Sequence, residues 1–150
     1  MTALSTGSAG LNVTNLDRSV DFYRRSLGFD VIRQSTGPVN RYALMGSDGV
    51  VLLTLWEQSS GAFPVNRPGL HHLSFEAATL DDLRAAEKRL RAAGVALRDD
   101  DGSSEDAASA GQLFFADPDG IRLEIYTDDP AVPHGPTPAL PRCGYFDDGA

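Results

Sequence analysis

Leu16, Val20, Tyr23 and Leu27 fall on one side of a helix, and Leu80, Leu83, Ala86 and Leu90 repeat the arrangement later in the chain. Each run opens on a residue suited to a helix start. Asn15 and Thr79 have short side chains that accept from unpaired backbone N–H groups, and Asp82 follows Thr79 much as in a capping box. Gly28 and Gly94 close the two runs, as residues free to turn left-handed. A strand is predicted before each helix, over Leu11–Thr14 and Leu70–Glu76. Three more follow each: Asp30–Gln34, Arg41–Met45 and Val50–Trp56, then Val95–Arg98, Gln112–Ala116 and Ile121–Tyr126. Ser47-Asp48-Gly49 and Asp117-Pro118-Asp119-Gly120 read as the last turn of each set.

The order βαβββ therefore occurs twice, divided near the Pro- and Gly-containing stretch Pro64–Gly69. Unit one spans about 8–57, a linker about 58–69 and unit two about 70–127, making one domain over 1–127. One such unit leaves a sheet face uncovered. The expected fold is α+β, two βαβββ units forming a half-open mixed β-barrel around a cavity, with the helices outside.

Alternation along the strands separates a packed face from a cavity face. Leu11 and Val13, Val51, Leu53 and Leu55, Leu73 and Phe75, and Ile121, Leu123 and Ile125 are assigned to the packed face, with His71 beside Leu73. Ser8, Gly10, Asn12 and Thr14, then Leu52, Thr54 and Trp56, His72, Ser74 and Glu76, and Arg122, Glu124 and Tyr126 point inward. That inward set is polar for a barrel interior. Buried polar groups cost free energy unless paired, and a ligand or metal site is one reason to keep them. Trp56 and Tyr126 occupy matching positions and read either as flat walls for an aromatic ligand or as plain packing. Arg122 is placed to hold an anionic or carbonyl group, or to pair with Glu124.

Charge narrows the partners. The chain has 150 residues, 21 acidic against 13 basic and a formal charge of -8, with Lys88 its single lysine, so nucleic acid is not an expected partner. No apolar run approaches the ~20 residues of a membrane span, and MTALSTGSAG has no secretory pattern. With Cys143 alone there is no internal disulfide, and a cytoplasmic location is expected. The run Asp99-Asp100-Asp101-Gly102 fails EF-hand spacing and reads as a solvated loop, which with Ser103–Ala110 is expected to act as a flexible lid. The tail 128–150 is Pro-rich and aromatic at its end. It is expected to dock on the domain or a partner, with His134 and Cys143 as remote candidates for the site.

The stretches Leu11–Tyr23 with Leu27-Gly28-Phe29, Gly69–Phe75 and Asp117–Tyr126 resemble, in this order, the vicinal oxygen chelate superfamily. That superfamily includes glyoxalase I, extradiol dioxygenases, fosfomycin-modifying enzymes, methylmalonyl-CoA epimerase and bleomycin-binding resistance proteins. The resemblance implies one divalent metal held from the first and last strands of each unit, and a homodimer. The implied ligand positions carry Ser8, Thr54, His72 and Glu124 here. His72 and Glu124 suit Fe, Mn, Co, Ni or Zn. Ser8 occupies the usual third-ligand position and weakens the site, leaving Asn12, Glu76 or a chelating substrate to complete the shell. Thr54 removes the carboxylate of a typical glyoxalase I.

Two functions follow. One is a metal-assisted enzyme on a small oxygenated, perhaps aromatic metabolite, of dioxygenase, lyase or isomerase type. His72 and Glu124 would be catalytic ligands, and Asn12, Thr54, Trp56, Ser74, Arg122 and Tyr126 would bind substrate. The other is a metal-free protein that sequesters a drug or metabolite in an aromatic-lined cleft, as bleomycin-type members do. A metal-free general base at His72 or Glu124 is a third possibility.

Overall fold

The computed structural model describes residues 7–98 and 106–132, and the chain divides into two compact units, Met1–Phe63 and Pro64–Ala150. Both are α+β. The expectations for Asp99–Glu105 and for His134 and Cys143 fall outside the described residues.

In the first unit, β1 (Ala9–Val13) leads into α1 (Leu16–Leu27), followed by β2 (Asp30–Thr36), β3 (Arg41–Ser47) and β4 (Val50–Glu57). The sheet order is β1-β4-β3-β2, with β1 parallel to β4 and the other pairs antiparallel. Leu11, Val13, Ala43, Met45, Leu53 and Leu55 are buried, as are Leu16, Val20, Tyr23 and Leu27 of α1. Asn15 Oδ1 accepts from the Arg18 N–H at 2.9 Å, and Gly28 closes the helix at φ 74°. Asp48 and Gly49 carry positive φ (51° and 78°) between β3 and β4, the two-residue turn whose twist matches that of its strands. β3 bulges between Met45 and Gly46.

In the second unit, β5 (Leu73–Glu76) precedes α2 (Leu80–Ala92), and a short 3-10 turn over Ala107–Ala110 leads to β6 (Gln112–Ala116) and β7 (Arg122–Tyr126). The order is β5-β7-β6, β5 parallel to β7 and β6 antiparallel to it. Leu80, Leu83, Ala86 and Leu90 form the buried stripe of α2, and Ile121, Leu123 and Ile125 are buried on β7. After α2, Gly94 (φ 73°) donates to the Arg91 carbonyl and Val95 to the Leu90 carbonyl, the pair of bonds that ends a helix on a left-handed glycine.

Two expectations are corrected here. Val95–Arg98 is not a strand. Its backbone reaches β6 through the Arg98 N–H on the Phe114 carbonyl at 2.7 Å, while burial of Leu97 holds the segment by packing. The Asp106–Ala110 end of the supposed lid is anchored. The buried Glu87 carboxylate accepts from the Ala107 and Ala108 N–H groups at 3.1 and 2.9 Å, and from Arg91 Nε at 2.9 Å. Those N–H groups begin the 3-10 turn and would otherwise be unpaired.

Each helix start is also held by a carboxylate from the end of its own unit. Glu57 Oε2 accepts from the Leu16 N–H at 2.7 Å, and Asp129 Oδ2 from the Leu80 N–H at 2.8 Å. Glu57 is further paired with Arg41 Nε at 2.9 Å. The Leu16 N–H and then Arg41 hold the Glu57 carboxyl below its usual range, and the Ala131 and Leu80 N–H groups do the same for Asp129. A carboxyl lowered in the folded state stabilises above its unfolded pKa, about 4, and that contribution disappears as pH falls through the folded value. The melting temperature of the wild type is therefore expected to drop more steeply below about pH 4 than that of Glu57→Gln or Asp129→Asn. Parallel melting curves across that range would exclude the two clamps as contributors.

Candidate functional site

The parallel pairing of β5 with β7 sets Ser74 directly beside Glu124. The turn before β7 fixes which of its residues share that face. Asp117 Oδ1 accepts from the Asp119 and Ile121 N–H groups at 2.9 and 2.8 Å, and the Asp117 N–H returns to the Ile121 carbonyl. From that start, alternation turns Ile121, Leu123 and Ile125 one way and Arg122, Glu124 and Tyr126 the other. Arg122 and Glu124 are nonetheless as buried as the apolar residues between them, whereas Tyr126 is half-buried.

A carboxylate with 1% of its side chain exposed must be hydrogen-bonded or paired to remain. Ser74 Oγ donates to Glu124 Oε2, and His72 Nε2 stands 3.4 Å from the same oxygen. Burial pushes the His72 pKa down. Glu124 opposes that, while the charges of His71 and Arg122 reinforce it. His72 accordingly favours its neutral form, and the contact joins a neutral imidazole to a carboxylate. Arg122 is lowered by burial and then by the nearby charge of Arg98.

This donor pair fits a divalent metal. Nitrogen and oxygen ligands about 2.0–2.2 Å from one ion stand about 3.0–3.5 Å apart at neighbouring corners of its coordination shell. The separation of His72 Nε2 and Glu124 Oε2, 3.4 Å, is such an edge. Among the described residues no group of three or more His, Cys, Asp or Glu could hold an ion, so this unit offers two strong donors. Glu76 is exposed on β5.

His71 corrects the sequence reading. Strand pairing begins at Leu73, so alternation does not reach His71, and its ring is exposed instead of packed. It lies against His72 with ring planes at 84° and Nδ1 atoms 2.7 Å apart.

The first unit carries a different face. Opposite the buried side of its sheet, Asn12, Trp56 and Tyr42 occupy one row across β1, β4 and β3, with Gly10, Thr54 and Leu44 in the next. Tyr42 and Trp56 are half-buried and their rings meet at a centroid distance of 5.0 Å and 38°. Asn12 is exposed beside them, Thr54 is half-buried, and Ser8 is exposed immediately before β1. Tyr42 was absent from the expected set. Its signal was available: Tyr42 and Leu44 alternate with the buried Ala43 and Met45.

With fold and side chains in place, comparison with known proteins gives the class. The model of the Glyoxalase/Bleomycin resistance protein/Dioxygenase superfamily matches residues 5–125, and the chain belongs to that family. It is 33% identical over 127 residues to a catechol-2,3-dioxygenase of Bacillus subtilis, covering 83% of this chain and 41% of that protein. It thus spans about two fifths of that relative's length. It is 30% identical to the Arabidopsis thaliana protein Glyoxylase I 4, over 79% of this chain and 69% of that one. A glyoxylase/bleomycin resistance protein/dioxygenase domain from Frankia sp. EAN1pec superposes with a TM-score of 0.69 at 27% identity, covering 84% and 93% of the two chains. The fosfomycin resistance protein FosX of Listeria monocytogenes, solved with Mn(II) and sulfate, gives 0.63 at 13% identity over 87% and 98%, a likeness of fold alone. No helix among the described residues is long and apolar enough to cross a membrane.

Proposed function

We propose that the chain is a divalent-metal-assisted enzyme of the vicinal oxygen chelate type, acting on a small oxygenated, planar substrate. The observation that carries this is the approach of His72 Nε2 to Oε2 of the buried Glu124 side chain at 3.4 Å. The likeness to a catechol-2,3-dioxygenase supports it from outside the chain.

In this reading His72 and Glu124 would hold the ion, whichever of Fe, Mn, Co, Ni or Zn is taken, and Ser74 orients the Glu124 carboxylate. A metal so held supplies Lewis acidity toward substrate oxygens. With two protein donors, the shell is left open to a substrate that chelates through adjacent oxygens. Arg122, buried on the same face as Glu124, supplies positive charge for an anionic or enolic substrate. Tyr126 adds a half-buried phenol ring on that face. In the first unit Trp56 and Tyr42, with Asn12 and Thr54 on the same sheet face, offer aromatic rings beside an amide and a hydroxyl, suited to a ring bearing a polar substituent. We further propose that the protein works as a homodimer in the cytoplasm.

The half-buried Tyr42–Trp56 pair favours a second reading, metal-free sequestration of a planar drug or metabolite. Metal analysis of the purified protein with Fe(II), Mn(II), Co(II), Ni(II) and Zn(II) separates the two. About one ion per chain, lost in His72→Ala, is expected for the enzyme. A wild type that stays empty with all five excludes it. Tight binding of planar aromatic compounds, weakened at least about tenfold by Trp56→Ala, would then identify a sequestration protein.

A further inference from the structure

We propose that His71 is a positioning residue for His72: through their Nδ1···Nδ1 contact it sets which nitrogen of His72 carries the proton. Two ring nitrogens 2.7 Å apart cannot both present lone pairs, so with both rings neutral one proton lies between them. If His71 donates, the His72 proton sits on Nε2 and faces Glu124. If His72 donates, Nε2 presents a lone pair to Glu124 instead. A lone pair facing a carboxylate is repelled, so the first arrangement belongs to the metal-free protein. A cation held by both groups reverses the preference and selects the second.

The usual partner of a ligating histidine is a carboxylate or a carbonyl, which accepts only. Imidazole both accepts and donates, so His71 supports either arrangement without leaving His72 Nδ1 unpaired. The exchange balances. His72 Nε2 gives a proton to solvent, the Nδ1 proton of His71 passes to His72 Nδ1, and exposed His71 takes a proton from solvent on Nε2. No net proton is released by the neutral pair. The local fold makes this possible because β5 begins at Leu73, leaving two consecutive histidines free of the alternation that would set their rings on opposite faces.

The link from tautomer to metal affinity rests on the metal-centre reading; the tautomer itself does not. The test is long-range proton–nitrogen NMR of ring-labelled histidines in the wild type, His71→Ala and His71→Asn, without metal and with Zn(II). The pH is set well above the ordinary histidine range. The wild type is expected to show His72 protonated on Nε2 without metal and on Nδ1 with Zn(II). His71→Ala should shift the metal-free His72 nitrogens and weaken Zn(II) about tenfold or more, and His71→Asn, which keeps a donor and an acceptor, should restore most of the affinity. Identical His72 spectra and equal Zn(II) affinity in the wild type and His71→Ala would overturn the proposal and leave the metal centre standing. His72 spectra altered by His71→Ala, beside a wild type that takes no Zn(II), would remove the metal centre and leave the role of His71 standing.

Discussion

Glu124→Gln is expected to weaken divalent metal binding by more than about a hundredfold while leaving the protein folded, because loss of a ligand exceeds the usual cost of losing a supporting group. The glutamine amide keeps the volume of the carboxylate and offers an oxygen for the Ser74 hydroxyl to donate to. It lacks the negative charge that, in a site with 1% of that side chain exposed, no solvent replaces. Glu124→Ala should lose the metal as fully and also destabilise, since truncation strands the Ser74 hydroxyl and opens a cavity at about 1–3 kcal/mol for the unpaired group. Calorimetric titration with Mn(II) or Zn(II), read beside thermal melting, separates ligand loss from unfolding. A Glu124→Gln protein that binds metal like the wild type would show that the ion is held elsewhere.

The largest effect on stability is expected at Gly46. A Cβ there would stand 1.8 Å from the Val50 carbonyl oxygen, 2.9 Å from its carbon and 3.0 Å from the Leu52 nitrogen. All three are backbone atoms of β4, so no side chain can rotate aside. Accommodation would require β3 and β4 to part at the bulge. Overpacking usually costs about 1–3 kcal/mol, and a clash with a paired backbone belongs above that range. For a chain of this size the melting temperature of Gly46→Ala should fall by about 10 °C. Gly10→Ala is the control, since a Cβ there meets nothing within 4 Å. Equal melting temperatures for the two variants would mean that the bulge rearranges freely.

What could be read in the chain beforehand was mostly what short-range chemistry decides. The helices over Leu16–Leu27 and Leu80–Ala92, their Asn15 and Thr79 caps and the Asp48-Gly49 turn depend on neighbours in sequence, and they stand as expected. The buried faces of β1, β4 and β7 were also legible, because alternation follows from strand geometry alone. Val95–Arg98 failed because apolar residues at alternate positions are compatible with a packed irregular segment as well as a strand, and only long-range pairing distinguishes them. His71 failed because its face depended on where β5 begins, a matter of one or two residues. For the candidate site, Glu124 and Trp56 stand on strands where alternation applies, whereas His72 precedes β5 and only its residue type singles it out. The row joining Asn12, Trp56 and Tyr42 requires the register between three strands, and the bond from Ser74 to Glu124 requires the pairing of β5 with β7. Neither register is carried by local pattern.

The two carboxylates that hold the helix starts also bear on how the molecule comes into being. Leu16 waits for Glu57, 41 residues further along the chain, and Leu80 waits for Asp129, 49 residues further along. During synthesis each helix can coil as soon as its own residues are made, but its first N–H has no carboxylate until the closing segment of the same unit emerges. The clamp on the first helix needs the chain only as far as Glu57. The second remains unfinished until the chain has passed its last strand. Each of these two bonds can therefore form only after the segment that closes its own unit has been made.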